Sequence, residues 1–205
     1  MPKYQYTPLE LCEENIRIVR LLKGDFDDEI RCEIFLAWLD EDKMPYEAPS
    51  YTWGDLSATV EILLDNCTLG VTVSLADALR HLRLEDMDRL MWIDAVCINQ
   101  SDVNERGHQV QRMSEIYKQG ERVVVWLGSS EPETDFLMDY LTQIQQQSVC
   151  MSSISSPYDT ISSMEQEISD VFTLKDIRQD VLGLQKTAFQ KLLKRPWFQR
   201  ACKQS

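Results

Sequence analysis

The sequence predicts an α/β fold: a mainly parallel central sheet flanked by helices, with an antiparallel strand addition at the amino terminus. Three observations predict it. Leu90-Met91-Trp92-Ile93-Asp94-Ala95-Val96 is a nearly unbroken apolar run, the pattern of a strand buried on both faces. From Glu105 to Gln119, apolar residues at Val110, Met113, Ile116 and Tyr117 mark one face of a helix. Arg122 to Leu127 is a second β-branched run, stopped by Gly128. Strand, helix and strand in that order imply a parallel pair joined by a right-handed crossover. In such sheets the loops beyond the carboxyl ends of the strands are the usual ligand side. Asp94, Asn99 and Gln100 stand there.

The other elements follow in chain order. Ile16 to Leu22 alternates in part and ends on the turn signal Lys23-Gly24-Asp25. Ile30 to Leu39 is a second strand, and the two are expected to pair antiparallel at the edge of the sheet. Ser50 to Trp53 is strand-like and stops at Gly54-Asp55; Pro49 is awkward in an interior strand because it cannot donate to the ladder. Val60–Leu64, Asp65-Asn66-Cys67 and Leu69–Val73 read as a hairpin with a polar turn. Ser74 is the expected N-cap of a helix that buries Leu75, Ala78, Leu79 and Leu82 and ends near Arg83. Beyond Gly128, Glu131-Pro132-Glu133 reads as a helix start. Phe136, Leu137, Tyr140, Leu141 and Ile144 give that helix an apolar stripe. A last helix through Leu182 and Leu193 stops before Pro196. The expected organisation is a core over residues 1–147, a serine-rich loop or insertion with partial helix over 148–180, and a terminal helix and tail over 181–205.

Composition excludes several classes. The chain has 205 residues, 43% hydrophobic and 27% charged, ordinary for a globular protein. Lysine and arginine number 21 against 34 acids, a net charge of −13. No basic face is evident to displace counterions, so the reading is no nucleic acid among the partners. No segment approaches the roughly 20 apolar residues of a membrane span, and no signal peptide opens the chain. The six cysteines (Cys12, Cys32, Cys67, Cys97, Cys150 and Cys202) are scattered without paired spacing, which reads as reduced thiols in a cytoplasmic protein. His81 and His108 do not stand at ligand spacing from them, so no metal site is expected.

Each candidate site residue has a bland reading beside a functional one. Asp94 ends a buried run; an isolated carboxylate there either binds a ligand or is satisfied by loop amides and an arginine. Asn99 and Gln100 suit hydrogen bonds to a ribose or amide, or tie the loop to itself. Glu105 opens the helix, where it favours the positive helix end; alternatively it faces a cleft with Arg106 paired to an anionic group. Tyr51, Trp53 and Gly54 offer an aromatic platform and tight turn beside a nucleotide, against the commoner fate of rings in a core. Cys97 near His108 suggests a nucleophile, but a buried structural thiol is the simpler reading.

Three blocks resemble the fungal heterokaryon incompatibility (HET) domain. They are Tyr46-Glu47-Ala48-Pro49-Ser50-Tyr51-Thr52-Trp53-Gly54, then Leu90 through Asn99-Gln100 with Glu105-Arg106, Gln109-Val110, Met113, Ile116 and Tyr117, and finally Val123-Val124-Val125-Trp126-Leu127-Gly128. The resemblance covers residues 4 to 128 and returns at Arg195-Pro196-Trp197-Phe198-Gln199-Arg200. The family usually has a leucine where Pro49 stands. Its Arg-Pro-Trp block continues into a Trp-x-x-Gln-Glu-like segment, where this chain has Ala201-Cys202-Lys203-Gln204-Ser205. The resemblance implies nonself recognition and programmed cell death when incompatible fungi fuse, through self-association or a sensor protein. It also implies a TIR-like or flavodoxin-like sheet. Some TIR domains cleave NAD, so a second expectation is an NAD glycohydrolase with no bound cofactor. There Asp94 and Glu105 would be the catalytic pair, and Tyr51, Trp53, Gly54, Asn99, Gln100 and Arg106 would bind the ligand. A third expectation is an inactive, truncated family member that lacks the terminal acid.

Overall fold

The computed structural model describes residues 1–10, 15–39, 44–149 and 179–201. The serine-rich stretch from 150 to 178 and the tail from 202 to 205 lie outside the described residues. The chain divides into two compact units, Met1–Gly128 and Ser129–Ser205.

The first unit is built on seven strands: β1 (Asn15–Leu21), β2 (Arg31–Trp38), β3 (Glu47–Ser50), β4 (Thr59–Leu64), β5 (Cys67–Thr72), β6 (Arg89–Met91) and β7 (Arg122–Val125). Their order across the sheet is β5-β4-β2-β1-β6-β3-β7. Three neighbouring pairs are parallel and three antiparallel. The expectation of a mainly parallel sheet therefore gives way to a mixed one, flanked by helices.

β1 and β2 pair antiparallel along their whole length, from Asn15 opposite Trp38 to Leu21 opposite Cys32. They lie in the middle of the sheet, however, and not at its edge. The burial of β1 gives the reason: every residue but Arg20 is buried, so both faces of this strand are covered. β4 and β5 form the expected hairpin. Its two-residue turn, Asp65-Asn66, takes left-handed backbone at both positions (φ 50° and 60°), a conformation that Asn and Asp tolerate better than most side chains. The outer edge of β5 is covered by the chain itself. Thr68 N–H donates to Pro2 O at 2.8 Å and Tyr4 N–H donates to Thr68 O at 2.9 Å.

β6 and β7 run parallel, as the strand-helix-strand reading requires, but they are not neighbours; β3 lies between them. Glu47 sits level with Met91 on one side and Arg122 on the other. Its carboxylate accepts from both Arg89 and Arg122, which clamps the three strands where they meet. Pro49 is tolerated in this interior strand for a local reason. Trp92 N–H donates to Glu47 O, so odd-numbered residues of β3 turn their amides towards β6. β6 ends at Met91, level with Glu47, so the bond that Pro49 forgoes lies at the end of this pairing and not in its interior.

Helix α1 (Val73–Leu82) buries Leu75, Ala78, Leu79 and Leu82, as the spacing predicts. Its N-cap is Thr72, whose Oγ1 accepts from Leu75 N–H at 3.2 Å, and not Ser74. Just past this helix, Arg83 is only 8% exposed. Its guanidinium donates to the carbonyls of Asp25, Phe26, Asp28 and Glu29 and so shapes the loop after β1. The core gathers Ile16, Ile18, Leu21, Ile62, Leu64, Leu75, Leu79, Met91, Trp92 and Ile116.

The second unit holds α4 (Pro132–Val149), α5 (Gln179–Leu193) and α6 (Pro196–Ala201) among its described residues. Pro132 and Pro196 each open a helix, where a missing N–H costs nothing. Arg195 donates to the Oγ1 of buried Thr134 at 3.0 Å. Among the described residues, no helix is long and apolar enough to cross a membrane.

Candidate functional site

The chain leaves β6 as an extended Trp92-Ile93 and turns at once into a short helix, α2 (Asp94–Cys97). The apolar run Leu90–Val96 is thus one strand end and one helical turn, and not a single strand. Length-limited apolar runs carry no period that separates the two. Val96, Cys97 and Ile98 are buried as this turn packs inward, and Asp94 sits in its first turn, where a carboxylate suits the free amides. Asp94 Oδ1 accepts from Ala95 N–H at 2.8 Å.

The residues after β3 come to meet it. Tyr51 Oη donates to Asp94 Oδ1 at 3.1 Å and Trp53 Nε1 donates to Oδ2 at 3.0 Å. Asp94 is half-buried, Trp53 half-buried and Tyr51 almost wholly buried. Burial, and then the charge of Asp94, hold the Tyr51 phenol well above its ordinary pKa, so it stays a donor. Gly54 completes the turn in left-handed backbone (φ 71°); a Cβ there would lie 3.2 Å from the Cβ of Ser74. Ser74, inside α1, donates to Thr52 O at 2.6 Å and fixes the same turn.

The loop from 99 to 106 is bound largely to its own chain. Asn99 Oδ1 accepts from Ser101 N–H and Oγ, Gln100 Nε2 donates to Asp94 O at 2.8 Å, and Arg106 donates to Gln100 O at 2.8 Å. The loop ends at helix α3 (Val103–Gln119), capped by Asp102 Oδ1, which accepts from Asn104 and Glu105. The buried residues of α3 are Glu105, Gln109 and Ile116, whereas Val110 is exposed. The inward face is thus rotated from the one that Val110 predicts, because its first two turns bury polar side chains.

Those side chains lead to a residue that the sequence reading missed. Arg17, in the middle of β1, is 3% exposed and Glu105 is 2% exposed. The two form a bidentate pair, Nη1–Oε1 at 2.5 Å and Nη2–Oε2 at 3.0 Å. Arg17 also donates to Cys97 O at 2.9 Å and Thr7 O at 2.6 Å, and Glu105 Oε1 accepts from Asn99 N–H at 2.7 Å. Beside it, Gln109 Nε2 donates to Asn15 O at 3.3 Å. One ion pair thus ties the centre of the sheet to the end of α2, the loop after it and the start of α3. The available signal was an arginine set between Ile16 and Ile18 in an otherwise apolar stretch of strand.

The structure therefore brings Tyr51, Trp53, Asp94 and Gln100 together, with Asn99 and Arg106 on the adjoining loop and Gly54 at the turn. Glu105 lies apart from them, beneath the loop. Cys97 is buried and its thiol is pushed up to about 12, as is that of Cys32. The unfolded chain ionises a thiol near pH 9, the folded one only near 12, so above pH 9 the unfolded state sheds protons that the native state keeps. Stability should fall progressively from pH 9 to 12. A melting series should show it, with a shallower decline in Cys97→Ala.

Comparison with known proteins identifies the family of the chain. A family model described as "Heterokaryon incompatibility protein (HET)" matches residues 46–202. The chain is similar to heterokaryon incompatibility protein 6, OR allele, of Neurospora crassa, at 36% identity over 137 residues. That match covers 60% of this chain and 20% of the relative, so the chain spans about one fifth of the curated relative's length. No solved structure matches.

Proposed function

Because this chain belongs to the heterokaryon incompatibility family, we propose that it is the HET module of a fungal nonself-recognition system, acting through protein association and ending in death of the fused cell. One observation carries the association reading over a chemical one. The carboxylate oxygens of Asp94 and Glu105 are all engaged by donors of the chain itself. A group so occupied holds a surface in shape more readily than it receives a ligand. Asp94 fixes the Tyr51–Trp53 turn against α2, and Glu105 fixes the loop above it. The test is to express the chain in one of two otherwise compatible strains and to score heterokaryons. The expected result is a loss of viable heterokaryons; heterokaryons at the control frequency overturn the reading.

A second reading rests on the half-exposure of Asp94 beside the Trp53 ring. An aromatic face and a carboxylate are what a ribose and a developing glycosyl cation require, so NAD is the substrate to try. In that reading Asp94 faces the sugar and Glu105 is a positioning residue. Nicotinamide release from NAD by purified chain, lost in Asp94→Asn, would favour it over association alone.

A further inference from the structure

Helix α3 buries more polar atoms than the fold uses. Among the described residues, six buried side-chain nitrogen and oxygen atoms have no hydrogen-bond partner. Four of the six belong to one short stretch of α3: His108 Nδ1, Gln109 Oε1 and both terminal nitrogens of Arg112. The other two, Arg83 Nε and Trp92 Nε1, stand singly. Arg112 follows His108 by four residues and Gln109 by three, so it neighbours both on the helix surface, at about 5–6 Å between Cβ atoms. Gln109 is 1% exposed, and its Nε2 is spent on Asn15 O at 3.3 Å. The Arg112 side chain is 14% exposed and makes one loose contact, Nε to Glu115 Oε2 at 3.4 Å. Buried polar atoms nearly always find a partner, and each one that does not costs stability.

The chemistry of these atoms specifies an occupant. The terminal nitrogens of Arg112 form a fork that matches the oxygens of a carboxylate or a phosphate. Gln109 Oε1 only accepts, so the occupant must also bring a donor. An ionised carboxylate has none. A phosphate that keeps one proton has a P–O–H beside its anionic oxygens. His108 Nδ1 donates or accepts according to its tautomer and suits either group. We propose that this patch of α3 is a phosphate-binding site. Two phosphate oxygens accept from Arg112, and the P–O–H donates to Gln109 Oε1. The proposal goes beyond the association reading and does not rest on it. The patch begins one turn past Glu105 and leaves Asp94 untouched. The net charge of −13 repels anions at long range, so affinity comes from the fork and is to be measured at fixed ionic strength.

The experiment is calorimetric titration of the purified chain at about pH 6, where phosphate and its monoesters keep a proton. The probes are inorganic phosphate, glycerol 3-phosphate and sulfate, which has the same shape and no proton to give. Wild type should bind phosphate at a single site, and sulfate about tenfold more weakly or worse. Glycerol 3-phosphate bound as tightly as phosphate assigns the site to a monoester; weaker binding assigns it to the free ion. Arg112→Met should weaken phosphate binding about tenfold or more. Gln109→Met should bring phosphate down to the level of sulfate and leave sulfate unchanged. Thermal melts in phosphate-free buffer separate a site from a scaffold. There Arg112→Met should melt no lower than wild type, because the orphaned donors leave with the side chain. A lower melting temperature means that the chain's own acids satisfy the guanidinium, and overturns the proposal. So does a wild type that binds no phosphate, sulfate bound as tightly as phosphate, or phosphate binding undiminished in Arg112→Met.

Discussion

Glu105→Ala should lower stability by about 3–5 kcal/mol, the range for removing one member of a buried ion pair. A typical domain has only about 5–15 kcal/mol in total, so the variant should melt far below wild type or fail to fold at growth temperature. The loss has three parts. The Arg17 guanidinium stays behind at 3% exposure with its charge uncompensated. Asn99 N–H loses its acceptor, which frees the loop that carries Gln100 and Arg106. The start of α3 loses its bond to the sheet. Arg17→Met should be comparably damaging because it strands the carboxylate. The double variant Arg17→Met/Glu105→Met removes both charges and should recover part of the loss, since an apolar pair carries no desolvation cost. Thermal melts of wild type, Arg17→Met, Glu105→Met and the double variant measure the coupling. Additive singles and double would mean that the pair does not bind the elements together. An unchanged melting temperature in Glu105→Ala would return Glu105 to a role at a ligand.

Asp94→Ala should cost about 2–3 kcal/mol, chiefly through what it leaves unmade. The Tyr51 hydroxyl, in a residue only 3% exposed, loses its acceptor where water does not replace it. The Trp53 indole N–H loses its partner too, but on a half-exposed ring the penalty is smaller. Asp94→Asn retains one acceptor oxygen and should cost about half as much. Tyr51→Phe made in the Asp94→Ala background should then be nearly neutral, because the orphaned hydroxyl leaves with its partner. Chemical denaturation of the three variants checks the series. An Asp94→Ala as stable as wild type would show that the turn at Gly54 is held by Ser74 and the backbone alone.

How much of this was legible in the residues depended on the range of the interaction. The β4–β5 hairpin and α1 are local, and their turn residues and apolar spacing announced them. The Ser74 cap was misplaced by two residues because Thr72 and Ser74 are chemically equivalent caps, and only the geometry chooses between them. The run through Asp94 was misread because six apolar residues, broken only by that acid, have no period of their own. The insertion of β3 between β6 and β7, and the central place of β1 and β2, are pairings over long sequence separations that no local pattern records. Tyr51, Trp53 and Asp94 were expected at one ligand site, and the structure joins the three by hydrogen bonds. The Arg17–Glu105 pair was not, because a helix start explains an acid by itself, and nothing local demands a partner far back in the chain.

The place of β3 has a consequence for how the molecule comes into being. When a ribosome has released Glu47–Ser50, neither of the two strands that will flank it has been made. The hairpin that follows can close early, but β3 must wait, unpaired, for Met91 and then for Arg122. Synthesis order and assembly order are therefore different, and the slow step of folding should be the threading of this short segment into a gap whose far wall arrives last. A nascent chain arrested before Arg122 would expose Ala48, which is fully enclosed in the finished protein, and should be a substrate for chaperones until the last strand appears.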